Sequence, residues 1–213
     1  GGSRKGEMAV NVTLSEVGLD VFVTGGKPLD RELTLGLSGV VEAHKLARLT
    51  WDDEVIGMRN LPYQNFGAAR VAPPPGAFLQ ATVHGQDALT AAVLDAVSGE
   101  KGVDLFAGSG TFTLPLAEHY EMIALEGEKP MIAALDRGWR EAKGLKKVDA
   151  IARDLFRRPF LPDELAKLDF AVLDPPRAGA EAQVAELAKS EIAQIAYVSC
   201  NPVTFARDAT VLI

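Results

Sequence analysis

Residues 103–110 read VDLFAGSG, a short, mostly apolar run that leads directly into a turn with two glycines. The run predicts a buried strand, and Gly108 and Gly110 predict a tight turn that a ligand can approach closely, because glycine adopts backbone angles closed to other residues. A helix is expected to begin near Thr111. This unit is typical of nucleotide-binding α/β sheets, although the third glycine of the dinucleotide fingerprint is missing.

Strands and helices alternate on both sides of this unit. A helix over 88–96 is expected to precede it, ending before Gly99. After it, strands are expected at 122–126, 148–152, 170–174 and 195–199, and helices at 129–142, 162–166 and 180–189. Connections of this length imply right-handed crossovers, so we predict an α/β fold with a parallel sheet and helices on both faces.

The N-terminal part follows a different pattern. Alternating apolar residues at 9–14 and 19–24 predict a β-hairpin, and Asp30 can cap a helix that covers it. Short strands are expected at 47–51 and 54–58, before prolines and glycines between residues 62 and 76 that exclude regular structure. We predict a small α+β subdomain over residues 1–72 and a second domain over residues 73–213.

The composition excludes several classes of protein. The chain has 213 residues, of which 47% are hydrophobic and 24% charged, which is typical of a globular protein. It has no apolar run near the roughly 18 residues of a membrane span and no signal-peptide pattern, so a cytoplasmic location is expected. One cysteine and scattered histidines favour neither a disulfide nor a metal site.

The charge balance argues against non-specific nucleic-acid binding by the whole surface, because the net charge is −7. Residues 137–158 are an exception, with eight basic and three acidic side chains. This local excess could contact RNA phosphates, or it could be an ordinary solvated helix face.

Four predicted strands end in polar residues, and ligands of open parallel sheets bind at such ends. The first is the glycine turn. The second is Glu126, whose carboxylate can accept both hydroxyls of a ribose or, alternatively, cap the next helix. The third is DPPR at 174–177, where two prolines fix a rigid loop suited to a flat heterocycle, or simply an ordinary turn. The fourth is SCNP at 199–202, where Cys200 is either a reactive thiol at the rim of the crevice or an inert small hydrophobe.

Together these motifs resemble the S-adenosylmethionine-dependent RNA uracil-5-methyltransferases, which make 5-methyluridine in transfer or ribosomal RNA. The resemblance extends from about residue 73 to the end of the chain, and it implies a Rossmann-like class I methyltransferase sheet that is incomplete at the C-terminus. It is carried by FLQ at 78–80, residues 104–113, Glu126, DPPR at 174–177 and SCNP at 199–202.

The resemblance also implies roles for individual residues. The Cys200 thiolate would add to carbon 6 of a uracil, so that carbon 5 becomes the nucleophile that takes the methyl group. Asp174 would help to hold the uracil, whose nucleotide is flipped out of an RNA loop. The implied contacts to the cofactor are Gln80, Phe106, Gly108, Gly110, Thr111, Glu126, Asp154 and Asp174. The implied contacts to the substrate are Gln80, Pro175, Arg177 and Asn201.

Two other functions remain open on the sequence. An acid followed by two prolines also resembles enzymes that methylate an exocyclic or ring nitrogen, but those usually end the loop with an aromatic residue where this chain has Arg177. A catalytically silent module that binds RNA is the second alternative.

The resemblance further places the base that removes the carbon 5 proton on a glutamate beyond Ile213, and an RNA-binding β-barrel upstream, in many cases with an iron-sulfur cysteine cluster. We therefore expect a fragment of a longer enzyme. These 213 residues should bind S-adenosylmethionine weakly and turn over RNA poorly or not at all. Transfer of labelled methyl groups to transfer RNA measures this, and rapid multiple turnover would contradict it.

Overall fold

The computed structural model describes residues 7–213, which form two compact units. By contacts, the first unit contains the described residues up to 64 together with 72–77, and the second contains 65–71 together with 78–213. The domain boundary between residues 72 and 73 stays a prediction.

The first unit is a four-stranded sheet with one helix. Its strands lie in the order β1-β2-β3-β4, with β2 and β3 parallel and the other pairs antiparallel. The predicted hairpin is confirmed, and so is the Asp30 cap, whose Oδ1 accepts from the Leu33 amide at 2.7 Å. The elements are β1 Ala9–Ser15, β2 Gly18–Thr24, α1 Arg31–Ala43, β3 Arg48–Trp51 and β4 Glu54–Met58.

Helix α1 packs on only part of this sheet. Its Val41 joins Val23 of β2 and Leu49 of β3 in a buried cluster, whereas Val12 and Leu14 of the outer strand β1 are 55% and 75% exposed. The helix was expected to cover the whole hairpin, but it packs against β2 and leaves β1 exposed.

The second unit contains the alternating strands and helices that the sequence predicts. Its elements are β5 Gln64–Phe66, β6 Ala69–Val71, α2 Val83–Ala96, β7 Lys101–Leu105, α3 Thr113–Leu116, β8 Glu121–Glu126, α4 Lys129–Glu141, β9 Val148–Ala152, α5 Pro162–Leu165, β10 Phe170–Leu173, α6 Glu181–Leu187, β11 Gln194–Tyr197 and α7 Pro202–Leu212.

Five of these strands form a parallel sheet in the order β11-β10-β7-β8-β9, which confirms the predicted α/β fold. Alternate residues of each strand face opposite layers. In β10, Phe170 and Val172 pack in one buried cluster with residues of α2 and α4, while Ala171 and Leu173 pack in the other with residues of α6. Helices therefore cover both faces of the sheet.

Three expectations from the sequence were wrong or incomplete. The stretch over 62–76 contains the hairpin β5–β6, because Gly67 makes the turn with φ +57° and Phe66 and Val71 are buried. The helix expected near Thr111 is only the four-residue turn α3. Helix α7 was not predicted, although Asn201 before Pro202 is a helix-start signal, since proline is favoured at the first helical position.

The pairing of β7 with β10 requires a residue without a side chain at position 102. Gly102 is the register partner of Phe170, and a Cβ built at Gly102 would overlap the fully buried Phe170 ring. We predict that Gly102→Ala destabilises the protein by about 1–3 kcal/mol, because that ring must move within a packed core. Urea unfolding measures the change. The control is Gly127→Ala, whose added Cβ makes only ordinary contacts, and equal effects of the two variants would contradict the prediction.

Candidate functional site

The candidate site is the carboxyl edge of the five-stranded sheet. Leu173 of β10 is in register with Leu105 of β7 and Tyr197 of β11, and Leu105 is in register with Leu125 of β8. The residues that follow these strands therefore begin at one level. Along the edge, the order of the segments is Cys200, Asp174, the glycine turn, Glu126 and Asp154.

The glycine turn starts with an unusual backbone. Phe106 follows β7 with φ +67°, a left-handed conformation that costs free energy in a residue with a side chain. The Ala107 amide then continues the pairing to the Leu125 carbonyl at 3.0 Å, and the Gly110 amide donates to the Ala107 carbonyl at 2.9 Å. The turn is thus closed on itself directly beside β8.

Gly108 and Gly110 lack side chains for different reasons. Gly108 has φ +55°, and a Cβ there would meet no atom within 4 Å, so this face of the turn is open. Gly110 has φ +99°, and its Cβ would approach Leu114 and Leu135 to 2.9 Å. Gly108 therefore leaves room for a ligand, whereas Gly110 is required by packing. Thr111, also expected at the cofactor, is partly buried just before α3.

Glu126 closes the other side of the turn. Its Oε2 accepts from the Gly108 amide at 3.0 Å, and its Oε1 accepts from the Glu128 amide at 2.8 Å. A carboxylate has about four lone-pair positions, so these two bonds fix its orientation and leave capacity for further donors. A ribose contact of Glu126 stays a prediction, and its bond to the Glu128 amide ties it to the residue before α4.

An aromatic pair lies between the turn and the loop after β9. The rings of Phe106 and Phe156 are 5.4 Å apart, and Phe156 is 50% exposed. Asp154 orders this loop, since its Oδ1 accepts from the amides of Phe156 at 3.0 Å and Arg157 at 3.3 Å. The Asp154 carboxylate therefore has a local structural contact, and its contact to the cofactor stays a prediction.

Asp104 is a buried acid that the sequence analysis did not single out. It has 0% exposure, and the Thr113 hydroxyl donates to its Oδ2 at 2.6 Å. Burial raises its pKa to about 7, with a smaller contribution from the nearby charges of Asp174 and Glu126. Within the described residues, Asp104 Oδ1 and Ser109 Oγ are buried with no hydrogen-bond partner. The position of an acidic residue within a predicted buried strand could have indicated this group from the sequence.

Asp174 lies on the edge between the glycine turn and Cys200. It follows β10, is partly buried, and accepts a hydrogen bond from Gln80 Nε2 at 3.3 Å. Burial raises its pKa to about 6. The structure thus brings together Gln80 and Asp174, which are 94 positions apart in the chain. In the same loop Pro175 is buried and Arg177 is exposed.

Cys200 is exposed in the turn between β11 and α7, at the same edge as the other segments. It is therefore not part of the hydrophobic core. Its neighbour Asn201 uses both polar ends within the protein: Oδ1 accepts from the Val203 amide at 3.1 Å, and Nδ2 donates to the Arg177 carbonyl at 2.9 Å. The SCNP turn and the DPPR loop are consequently bonded to each other.

The basic stretch is partly neutralised by acids. Each of four ion pairs ties one of its residues to a carboxylate: Arg140 with Asp136 at 2.7 Å, Lys147 with Asp149 at 2.8 Å, Arg153 with Glu164 at 2.8 Å, and Arg157 with Asp154 at 3.5 Å. An RNA contact here stays a prediction, and it would fall mainly to the other basic residues of the stretch.

Residues 7–213 contain neither a metal-binding cluster nor a membrane-spanning helix. No group of three or more His, Cys, Asp or Glu side chains in this range is arranged to hold a metal ion. None of the helices in this range has the length and apolar character needed to cross a membrane.

The parallel sheet and the residues at its carboxyl edge define the class of protein. A structure of similar fold is that of the Pyrococcus abyssi tRNA (uracil-54, C5)-methyltransferase in complex with S-adenosyl-L-homocysteine, with a TM-score of 0.71 and 21% sequence identity. The match covers 95% of this chain and 52% of that one. The chain therefore has the fold of a Rossmann-like methyltransferase.

Sequence comparison then gives the family. The model of the tRNA (uracil-5-)-methyltransferase family matches residues 74–212, and the chain belongs to this family. An uncharacterized RNA methyltransferase of Brucella suis is 44% identical over 97% of the chain and 50% of its own length. The 23S rRNA (uracil(1939)-C(5))-methyltransferase RlmD of Shewanella amazonensis is 36% identical over 71% of the chain and 35% of its own length. The chain spans about half the length of the first of these relatives.

The raised pKa of Asp104 gives a prediction about how the stability of the protein depends on pH. A carboxyl group whose pKa is about 7 in the folded protein, against 3.8 normally, binds more protons when folded, so stability falls as the pH rises from about 4 to about 7. Asp104→Asn removes this pH-dependent contribution to stability and keeps an oxygen that can accept from the Thr113 hydroxyl. We predict that the unfolding free energy of Asp104→Asn, relative to wild type, increases between pH 5.5 and pH 8.5.

Urea unfolding at several pH values measures that difference. Asp169→Asn is the control, because hydrogen bonds from the Glu100 and Lys101 amides lower the pKa of Asp169, and its contribution changes only in more acidic solution. A constant difference between Asp104→Asn and wild type over this range would show that Asp104 is not protonated as described.

Proposed function

We propose that the protein carrying this chain methylates carbon 5 of a uridine in RNA, with S-adenosylmethionine as the methyl donor and Cys200 as the nucleophile. The observation that carries the proposal is the exposed Cys200 thiol at the same sheet edge as the open glycine turn, with Asp174 between them. Family membership supports the same reaction.

The edge fits the cofactor. The side of Gly108 is open, Glu126 has spare acceptor capacity for ribose hydroxyls, and Phe106 and Phe156 offer aromatic faces to a purine. When bound, S-adenosylmethionine supplies a methyl group on a positively charged sulfur. The acidic side chains of this edge favour such a cation. Gln80, Thr111 and Asp154 complete the proposed set, and Gly110 contributes by shaping the turn.

In this proposal the pyrimidine lies between the thiol and the glycine turn. Strands β11 and β7 are separated by β10, which corresponds to about 10 Å at the usual spacing of strands. The flipped uracil would lie over the DPPR loop, where Asp174 and Gln80 present hydrogen-bonding groups and Pro175 and Arg177 flank them. Asn201 supports this loop through the Arg177 carbonyl.

The proposed reaction starts at the Cys200 sulfur. The thiolate forms a bond to carbon 6, and the electron pair of the carbon 5–carbon 6 double bond moves to carbon 5 and the adjacent carbonyl. Carbon 5 bonds to the methyl group, and the electron pair of the broken sulfur–carbon bond stays on the donor sulfur. Loss of the carbon 5 proton to a base then expels the thiolate and restores the double bond. We assign none of the described residues to that base.

RNA in which 5-fluorouridine replaces the target uridine tests the proposal. Carbon 5 then carries fluorine in place of the hydrogen that must be lost as a proton. A base cannot remove the fluorine, so the methylated adduct keeps its bond to Cys200. We predict that the full-length protein forms a complex with this RNA that survives denaturing electrophoresis, and that Cys200→Ala abolishes it at every cofactor concentration. Transcripts of transfer RNA and of 23S ribosomal RNA are tested in parallel to define the substrate.

Glu126→Ala is the matched variant, because it should weaken cofactor binding without removing the nucleophile. Loss of hydrogen bonds from a charged group costs roughly 1.5–3 kcal/mol, or about ten- to a hundredfold in affinity, so saturating cofactor should restore its complex. Methyl transfer that persists in Cys200→Ala would indicate nitrogen methylation instead. A wild-type protein with neither a complex nor cofactor binding by calorimetry would be a silent RNA-binding module.

A further inference from the structure

Helix α7 holds the DPPR loop through four side chains, which we call the α7 bracket: Asn201, Thr204, Arg207 and Asp208. The Arg177 carbonyl accepts from Asn201 Nδ2 at 2.9 Å and from the Thr204 hydroxyl at 3.2 Å. The Ala178 carbonyl accepts from Arg207 Nη2 at 3.1 Å. Successive loop residues are therefore bonded to successive turns of one helix.

Asp208 is the buried centre of this bracket, with 1% exposure. Its Oδ2 accepts from the Ala180 amide at 2.7 Å and from the Tyr197 hydroxyl at 2.6 Å. Its Oδ1 accepts from Arg207 Nε at 2.8 Å and Nη2 at 2.6 Å. Burial alone would raise the pKa of Asp208, but the bonds from Ala180, Tyr197 and Arg207 lower it overall, so this group stays ionised.

The fit between helix and loop is too close for a side chain at Gly179. This residue has φ +80°, and a Cβ there would lie 2.5 Å from Arg207 Nη2 and 2.6 Å from Asp208 Oδ2. Such an approach fixes the loop by backbone contact as well as by hydrogen bonds. Tyr197 ends β11, so the same carboxylate also ties α7 to the strand that leads to Cys200.

These contacts have a consequence for the nucleophile. Cys200 is exposed, and it lies between Tyr197 and α7, both of which are bonded to Asp208. The loop that carries Asp174 is bonded to the same carboxylate through Ala180. Asp208, eight residues after the cysteine, is therefore one of the groups that link the segment of the thiol to the loop of Asp174, beside the direct bonds from Asn201 and Thr204.

We infer that Asp208 is a positioning residue, which sets the place of the Cys200 thiol relative to the loop that holds the uracil. This inference rests on the proposed function. Asp208 touches neither cofactor nor substrate in this arrangement, so its loss should slow addition of the thiol and leave cofactor affinity unchanged. Loss of a residue with only a structural role would change both the rate of thiol addition and the cofactor affinity, or neither of them.

Asp208→Asn tests this inference in the full-length protein. The amide keeps one oxygen but turns an NH₂ group toward donors, either those of Arg207 or those of Ala180 and Tyr197, so one side of the bracket must open. We expect the rate of covalent complex formation with 5-fluorouridine RNA, at saturating cofactor, to fall at least about tenfold. The dissociation constant of S-adenosylmethionine should stay within about twofold of wild type.

The matched control is Asp169→Asn, the same change at the opposite edge of the sheet. Asp169 Oδ2 accepts from the Glu100 and Lys101 amides at 2.7 and 2.9 Å, just before β10. Its rate of complex formation should stay within about twofold of wild type. Tyr197→Phe removes a single hydroxyl and serves if Asp208→Asn fails to fold, and it should also slow the reaction at unchanged cofactor affinity.

The outcomes separate the two proposals. A wild-type protein that forms no complex overturns the proposed function. A wild-type protein that forms the complex, with folded Asp208→Asn or Tyr197→Phe reacting at the wild-type rate, overturns the positioning role alone. Equal loss of rate and cofactor affinity in these variants also overturns it, because the effect would then be a general disturbance of the fold.

Discussion

The register of five parallel strands is the constraint on which the rest of the structure depends. Because Leu105, Leu125, Leu173 and Tyr197 are paired side by side, the segments after them begin at one level. Gln80, which lies in no strand of this sheet, reaches the same edge and donates a hydrogen bond to Asp174. A slip of one residue in any strand would turn its polar end toward a helix layer, so the buried faces of the sheet and the candidate site are fixed by the same pairing.

The edge concentrates negative charge at a cost to stability. Asp104 and Asp174 both have raised pKa values because they are buried, and Glu126 lies close enough to add to the effect on Asp104. Groups that are costly to ionise in the folded protein indicate a site shaped for a ligand rather than for stability. A positively charged methyl donor, as proposed, would offset part of the repulsion that Asp174 and Glu126 exert on Asp104 when it binds.

The two motifs on the other half of the edge depend on a helix that lies outside them. Pro176 and Arg177 of the DPPR loop are exposed, and the carbonyls of Arg177 and the following Ala178 accept hydrogen bonds from side chains of α7 and its N-cap Asn201. The same helix begins at Pro202, two residues after Cys200. Cys200 and the DPPR loop therefore share one support, so a change in α7 would alter both.

The sequence by itself determined the alternation of strands and helices, the glycine turn, and the acids and the cysteine at strand ends, because periodicity and turn chemistry are local properties. It did not reveal the hairpin β5–β6, whose prolines and glycines obscured two short buried strands, or the burial of Asp104. Only the tertiary structure decided that Gly110 serves packing, that Asn201 bonds to the DPPR loop, and that Asp208 joins loop, strand and helix. Those contacts link residues far apart in the chain, and their geometry exists only once the strands have paired.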